Sequence, residues 1–551
     1  MGRSLANLVP PWVHLLLACA LTFGCARTGL ELGPTADTGT GDERGGTPGT
    51  AGHAAGSGGI RGGAGGRRGS GGSGGVVNRG GTGGSVAGAT GGNGGRAGRG
   101  GTSGNAGSSG HGGHAGSGGA SGSGGASGRG GLSGGGQSGA GRGGESGTAA
   151  EAGSGGETSG PRAVELALGA FHTCTAFDDG RLRCWGSAGY IGSGNLVAIG
   201  DNETPSVAPD VDSGGLVTRI AAGWYQTCAV LGTGALRCFG PAAGGLLGYA
   251  NTNTIGDDET PASAGDVDVG GTVTQVSAGP RNTCVVLSSG AVRCWGNNQD
   301  YQLGNPDTRT IGDDETPASV SAVDVGGAVT QVVAGFGHTC ALLAAGTVRC
   351  WGLGSDGRLG YGNTNTIGDD ESPASAGDVE LGGVAVELAA GSFHTCALLT
   401  TGNVRCWGWG YDGRLGYGNM NMIGDDETPA SAGDVDVGGS VLHIAAGDTE
   451  TCALLAGGSV RCWGDAIQGE LGYGNTESIG DDETPASAGD IDLGGRATSL
   501  DVGFRHACAT LESGAVRCWG RGSTGALGYG NTSDIGDDET PASAGDVHVL
   551  P

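Results

Sequence analysis

From residue 385 to 439 the chain alternates short apolar runs with small polar breaks. AVELAAG at 385–391, HTCALL at 394–399, NVRCWG at 403–408 and GDVDV at 433–437 are each bounded by Gly, Ser, Thr or Asp. Runs this short, with no 3.6-residue period, predict strands rather than helices. The pattern returns seven times. Its first cysteine stands at Cys174, Cys228, Cys284, Cys340, Cys396, Cys452 and Cys508, with one step of 54 residues and five of 56. A unit of this size buries its apolar face only against its neighbours, so the repeat decides the fold. Four predicted strands per copy and seven copies point to an all-β, seven-bladed β-propeller over residues 163–551. The last copy ends in DVHVLP at 546–551, while the first opens on AVELALG with no such run before it. The expectation is N/C-terminal strand closure, with 547–550 docked beside 164–168 to complete the first blade.

Each copy carries one Cys-x9-Cys pair: Cys174 with Cys184, Cys228 with Cys238, Cys284 with Cys294, Cys340 with Cys350, Cys396 with Cys406, Cys452 with Cys462 and Cys508 with Cys518. A glycine stands six residues after the first cysteine in every copy, as Gly402 does after Cys396. A three-residue hairpin loop ending in a left-handed glycine sets the two cysteines opposite each other, close enough for a disulfide. Arg precedes the second cysteine throughout, and Trp185, Trp295, Trp351, Trp407, Trp463 and Trp519, or Phe239, follow it. These Arg/aromatic pairs are expected to stack between blades. Two residues before the first cysteine stand His172, Gln226, Asn282, His338, His394, Glu450 and His506. Their shared property is hydrogen bonding, so a side chain that satisfies a backbone bend is expected rather than a metal ligand.

Composition changes the picture at the N-terminus. Arg3 and the apolar stretch 15–23 read as an export signal over residues 1–25, too short to span a bilayer. Cys19 in LLAC and Cys25 in TFGC each resemble a lipobox cysteine, so lipidation at Cys25 or Cys19 and a membrane anchor are expected. Residues 26–162 are rich in Gly, Ser and Ala with scattered Arg, a composition that cannot bury a core and reads as a disordered tether. The chain has no lysine; residues 1–162 carry a net charge of about +5 and residues 163–551 about −32. So acidic a propeller argues against nucleic-acid binding. An exported protein meets conditions in which seven disulfides persist.

The loops bring two further features. IGDDETP, or a close variant, recurs at Ile199, Ile255, Ile311, Ile367, Ile423, Ile479 and Ile535. Without Asp-x-Asp-x-Asp-Gly spacing it reads first as a solvated turn, with calcium as the alternative. No nucleophile-plus-base motif, phosphate loop or carboxylate pair stands out from its copies. The residues that vary most between copies follow the first run and the Trp-Gly: Phe171, Trp224, Tyr225, Arg281, Phe336, Phe393, Trp409, Tyr411, Phe504, Arg505 and Arg521. In an up-and-down blade these two connections emerge at one end, and large aromatics with Arg are the residues favoured at binding hot spots.

The units GSFHTCALLTTGNVRCWG and DGRLGYGN resemble the repeats of the regulator of chromosome condensation family, over about residues 163–551. The resemblance implies a seven-bladed propeller with strand exchange between the termini, and the paired cysteines are similar to a secreted bacterial branch. The functional expectation is a monomeric, cell-surface-tethered, non-catalytic propeller that binds a protein and needs no cofactor or metal. The alternatives are a propeller enzyme acting on surface glycans, or a guanine-nucleotide exchange activity implied by the family label alone.

Overall fold

The computed structural model describes residues 160–551. The export segment, Cys19, Cys25 and the Gly/Ser-rich stretch up to residue 159 lie outside the described residues. No helix among the described residues is long and apolar enough to cross a membrane.

Seven three-stranded antiparallel sheets follow one another in chain order. The first consists of Ala163–Leu168, His172–Phe177 and Leu182–Gly186, and the last of Ala497–Val502, His506–Leu511 and Val516–Gly520. The first strand of each blade lines an axial cavity of about 370 Å³. The middle strand is pressed on both faces by neighbouring blades, which is why His394–Leu399 is apolar or small beyond its first residues and buried at every position. The outer strand carries the second cysteine and the tryptophan.

Middle and outer strands form the predicted hairpin. Leu399 and Asn403 bracket a three-residue loop whose last residue, Gly402, has φ +82°. Cys396 is the register partner of Cys406. Disulfides join them and the six equivalent pairs: Cys174 and Cys184, Cys228 and Cys238, Cys284 and Cys294, Cys340 and Cys350, Cys452 and Cys462, Cys508 and Cys518. Each bridge spans ten positions, with a Cα–Cα distance of 4.0–4.1 Å, and none links one copy to another.

The fourth run departs from expectation. It is an edge segment and not a full strand. The Val435 N–H donates to the Val404 carbonyl at 2.9 Å, but the next inward N–H, that of Val437, turns back to the Val435 carbonyl at 3.0 Å. That tight turn diverts the chain from the ladder after a single bond. The segment also closes its own blade from the outside rather than leading the next one. Val547 therefore pairs with Val516 of the last blade, and not with 164–168 of the first.

Closure is achieved instead by repeating, between the last and first blades, the contacts that join the others. At the seam between blades 5 and 6, His394 Nε2 shares a hydrogen bond with Thr451 Oγ1 at 2.8 Å. Thr451 donates onward to the Arg414 carbonyl at 3.0 Å, and Trp463 Nε1 donates to the same carbonyl at 3.0 Å. At the closing seam His506 meets Thr173 at 2.8 Å, while Thr173 and Trp185 donate to the Ala526 carbonyl at 2.9 and 2.7 Å. Six of the seven pre-cysteine side chains thus reach across to the next blade, while Glu450 takes the Thr449 N–H and hydroxyl of its own bend. Burial pushes His172 down to about 4 and His506 to about 3, so these imidazoles are neutral hydrogen-bonding groups.

The outer-strand arginines do not stack on the tryptophans. Arg461 pairs with Asp490 at 2.7 Å within its own copy and donates to the Val437 carbonyl of the preceding copy at 2.8 Å. Arg183 does the same with Asp210 at 2.6 Å and with Val549 at 2.8 Å, which ties the C-terminal segment to the first blade. Arg405 and Trp407 share a face of the strand, but the Arg405 side chain is drawn to Asp434 of the edge segment at 2.8 Å, whereas Trp407, two residues further along, is fully buried in the seam.

Candidate functional site

The loop after each inner strand and the loop after each outer strand do emerge at one end. Their backbones are joined directly: the Trp409 N–H donates to the Phe393 carbonyl at 3.0 Å, and that of Ser187 to Phe171 at 2.8 Å. On this end the rings form one connected network. Phe171 lies 5.6 Å from Tyr190 and 6.2 Å from Tyr225, and Tyr225 lies 6.2 Å from Trp224. Trp224 meets Phe504 edge-on at 4.8 Å and Phe336 at 5.5 Å. The network continues through Phe393 and Trp409 to Tyr411, which stacks on Trp409 at 5.6 Å. Contacts at 4.5–7 Å are the range in which aromatic pairs attract beyond their area burial.

Arginines sit over four of these rings. The Arg281 guanidinium is 3.8 Å from the Phe336 centroid, Arg414 4.7 Å from Trp409, Arg358 5.1 Å from Phe393 and Arg505 5.6 Å from Phe504. Arg358 and Arg414 are themselves buried, held by Asp356 at 2.5 Å and Asp412 at 3.4 Å. Every residue singled out on the sequence belongs to this network except Arg521, whose guanidinium turns to Ser523 at 2.9 Å. Tyr190, Arg358 and Arg414 were missed. Arg358 and Arg414 lie in the DGRLG stretch just beyond the window judged variable, at a position the other copies fill with Tyr190, Leu246, Gln302, Glu470 or Ala526.

Trp224, Phe336 and Phe504 also have a structural task. Trp224 and Phe504, with Pro280, Ser392 and Asp448, line a cavity of about 60 Å³ at the axial mouth. Trp224 touches rings from blades 4 and 7 while belonging to blade 2, so it covers the axis. Tyr411, 52 % exposed, and Ile467, 67 % exposed, are open to solvent at this end, as are Leu196, Val197 and Met420 of the same kind of loop.

Below the mouth, one equivalent position lines the channel in six of the inner strands, as Glu165, Gln275, Gln331, Glu387, His443 and Ser499; in the second blade that position is Arg219. Where it is Gln, the amide caps the next blade's inner strand twice. Gln331 donates to the Leu388 carbonyl and accepts its N–H, both at 2.9 Å. His443 donates to the Leu500 carbonyl at 2.9 Å through Nε2 and meets Glu387 at 2.5 Å through Nδ1. Burial opposes its charge, but the Glu387 carboxylate and the Leu500 carbonyl outweigh it and raise its pKa. Burial pushes Glu165 and Asp501 up to about 7, against the pull of Arg219 on the one and of the Leu168 N–H on the other. Glu165, Gln275, Gln331, Glu387 and His443 of this ring are engaged in joining blades.

One acidic pair does break the repeat symmetry, contrary to the sequence reading. Glu450 and Glu470 of blade 6 are both fully buried. Burial, and then the charge of Glu470, holds Glu450 well above the usual carboxylate range. Burial pushes Glu470 to about 7 although Arg505 lies 3.5 Å away. The IGDDETP loops bring three acidic side chains together in several copies, as at Asp425, Asp426 and Glu427, of which the middle one is exposed and its two neighbours half-buried.

The described architecture has close counterparts. Models of the regulator of chromosome condensation repeat match residues 273–302, 329–358, 385–414 and 497–526, and also 289–342. The chain is 28% identical over 381 residues to the ultraviolet-B receptor UVR8 of Arabidopsis thaliana, covering 68% of this chain and 81% of that one. It is 27% identical over 319 residues to the human E3 ubiquitin-protein ligase HERC2, spanning 58% of this chain but 6% of the ligase. Among solved structures, human WBSCR16 superposes with a TM-score of 0.52 at 21% identity, over 63% of this chain and 91% of that one. Prp20p from Saccharomyces cerevisiae gives 0.51 at 18% identity, over 69% and 87%. Repeat models, relatives and fold agree that this chain carries regulator of chromosome condensation repeats and folds as a seven-bladed propeller.

Proposed function

We propose that the chain is an exported, surface-tethered, non-catalytic binding protein that engages a protein partner through the aromatic–arginine end of its propeller. The observation that carries this reading is the connected ring network with four arginines over it, confined to one end. Half-exposed aromatics and arginines are the groups that dominate protein interfaces. The seven disulfides fit an oxidising compartment. Protein binding is also a property of one structural counterpart, Prp20p, with its binding to Gsp1p and histones. The acidic charge of this propeller makes a nucleic-acid partner the poorer fit. Glu450 and Glu470 give no support to a glycan-cleaving enzyme, because both are enclosed and open to no cleft.

The test uses the full chain as bait for proteins of the cell envelope and secreted fraction. Tyr411→Ala with Arg521→Ala alters the face without touching the axial plug and should weaken capture of a specific partner by about 2 kcal/mol. Thr400→Ala with Thr401→Ala, in a hairpin at the other end, should leave capture unchanged. Loss of binding in the hairpin variant with none in the face variant overturns the assignment of the face.

A further inference from the structure

Five of the seven copies place one tyrosine between the outer strand and the edge segment: Tyr249, Tyr361, Tyr417, Tyr473 and Tyr529. In blade 5 the Tyr417 hydroxyl accepts the Cys406 N–H at 3.2 Å and shares its own proton between the Cys406 and Gly433 carbonyls, at 3.1 and 3.2 Å. The cysteine needs this partner. Cys396 and Cys406 stand opposite each other with Cα atoms 4.0 Å apart, the spacing of a pair that exchanges no backbone hydrogen bonds. The Cys406 N–H and carbonyl therefore point away from the middle strand, toward the edge, and the phenol meets them there.

Blade 1 has Ser193 at the tyrosine position, and its hydroxyl turns to the Asn195 carbonyl at 3.2 Å. What remains is a pocket of about 170 Å³. It is lined by Cys184, Ala208 and Pro209, the equivalents of Cys406, Ala432 and Gly433, together with Ile191, Val197 and Ile199. On the same edge the Leu182 carbonyl receives the Val211 N–H at 2.8 Å, and Gly186 exchanges both its bonds with Ile199, at 2.7 and 3.1 Å. Between those two, the backbone N–H and carbonyl of buried Cys184 find no partner among the described residues. An enclosed N–H left unmatched marks a place where an oxygen is due. The wall facing it is apolar. The Val197 position is apolar in this copy alone; the others have Asn253, Arg309, Asn365, Asn421, Glu477 and Ser533 there. Blade 3 also lacks the tyrosine, with Asn305 in its place, but the larger Val320 stands at the Ala208 position and packs against the core.

We propose that this pocket binds a phenol, with its ring against Ile191, Val197 and Ile199 and its hydroxyl at the Cys184 N–H and the Pro209 carbonyl. The ligand takes the place that a tyrosine side chain holds in five other blades, and the proposal stands apart from the partner-binding reading. The space suffices, since an apolar cavity of about 150 Å³ takes a benzene ring. The experiment titrates the full chain with p-cresol, which is the tyrosine side chain itself, and reads affinity by calorimetry and by the rise of the thermal midpoint. Toluene, the same shape without the hydroxyl, should bind about tenfold more weakly. Ser193→Tyr installs the side chain of the other copies. It should fold with an unchanged circular dichroism spectrum and no longer respond to p-cresol at concentrations that saturate the wild type. Should it fail to fold, Ala208→Val, which carries over the blade 3 side chain, must show the same loss. N-acetyltyrosinamide separates the two sources of such a ring: binding at least as tight as that of p-cresol supports a tyrosine presented by a polypeptide, and binding of p-cresol alone supports a free phenol. No binding of p-cresol to the wild type, equal binding to wild type and folded variant, or equal affinity for toluene and p-cresol overturns the proposal.

Discussion

The seam that closes the ring and the seam beside it use the same positions in opposite ways. Between blades 7 and 1 every element is present: His506 on Thr173, Thr173 and Trp185 on the Ala526 carbonyl, and Arg183 on Val549. Those partners are separated by 333 to 366 residues of chain. Between blades 6 and 7 the chain itself passes from one blade to the next, and there Ala507 replaces the threonine, so the hydroxyl is missing, and the Trp519 indole is unpaired. A seam bridged by the backbone stays adjacent whatever its side chains do. A seam between distant parts of the chain must be held by non-covalent contacts alone, against the entropy of a very long loop.

That contrast can be broken most strongly at the closing tryptophan. Trp185→Ala should cost about 3–5 kcal/mol in denaturant unfolding, through the lost burial and the cavity. Removing 547–551 should cost less, about 2–3 kcal/mol, because it deprives Arg183, only 5 % exposed, of a carbonyl acceptor. A truncated chain with an unchanged melting curve would sink this account of closure. A finer comparison sets Trp185→Phe against Trp519→Phe. Both lose the indole N–H, but only the first loses a hydrogen bond, so the first should be the more destabilising by about 1 kcal/mol. Equal effects would mean that the unpaired indole of Trp519 is not a real difference between the seams.

The smallest effect expected is a pH dependence centred on the closing seam. The Asp501 carboxylate accepts the Leu168 N–H across it at 2.9 Å, with its pKa raised from an ordinary 3.8 to about 7. A raised carboxyl binds its proton more tightly folded than unfolded, so its stability contribution is present at low pH and declines as pH rises from about 4 to 7. Raised His443 acts in the same direction, its contribution present below 6.5 and lost as pH climbs through its folded value. Lowered His172 and His506 act the other way, their contribution growing as pH rises to about 6.5, so the Asp501 share is read as a drop of the wild-type thermal midpoint relative to that of Asp501→Asn between about pH 4 and pH 7. Asp501→Asn keeps an acceptor oxygen and loses the titration; an unaltered pH profile in that variant would remove Asp501 from the account.

The blades, the hairpin disulfides and the shared end of the variable loops were legible in the sequence, because each follows from local pattern: run length, a glycine at a fixed offset, alternation along a strand. What was not legible depends on partners a whole copy away. The edge segment looked like a fourth strand because its alternating valines fit one. That Val437 bonds back to Val435 is a matter of backbone path, which alternation does not report. Glu450 looked interchangeable with His, Gln and Asn as a hydrogen-bonding side chain. Its difference shows only when Ala507 is placed opposite it and both are enclosed. The aromatic end was drawn nearly whole, yet Trp224 looked like a free surface group, whereas it covers the axis against Phe336 and Phe504.

The outer edge segment has a consequence for how such a ring can change its size. Each copy of 54 or 56 residues supplies its own three strands, its own disulfide and, at its end, the piece that borders its own outer strand. The boundary between copies is therefore also a boundary between complete blades. A duplication or loss of one copy inserts or removes a finished part and leaves no half-built sheet behind. Only the seam contacts and the curvature must readjust, and those rest on a few side chains per interface. Blade number in this architecture is a quantity that recombination can alter in whole steps, and closure is a set of contacts that any first and last copy bearing the right residues can make.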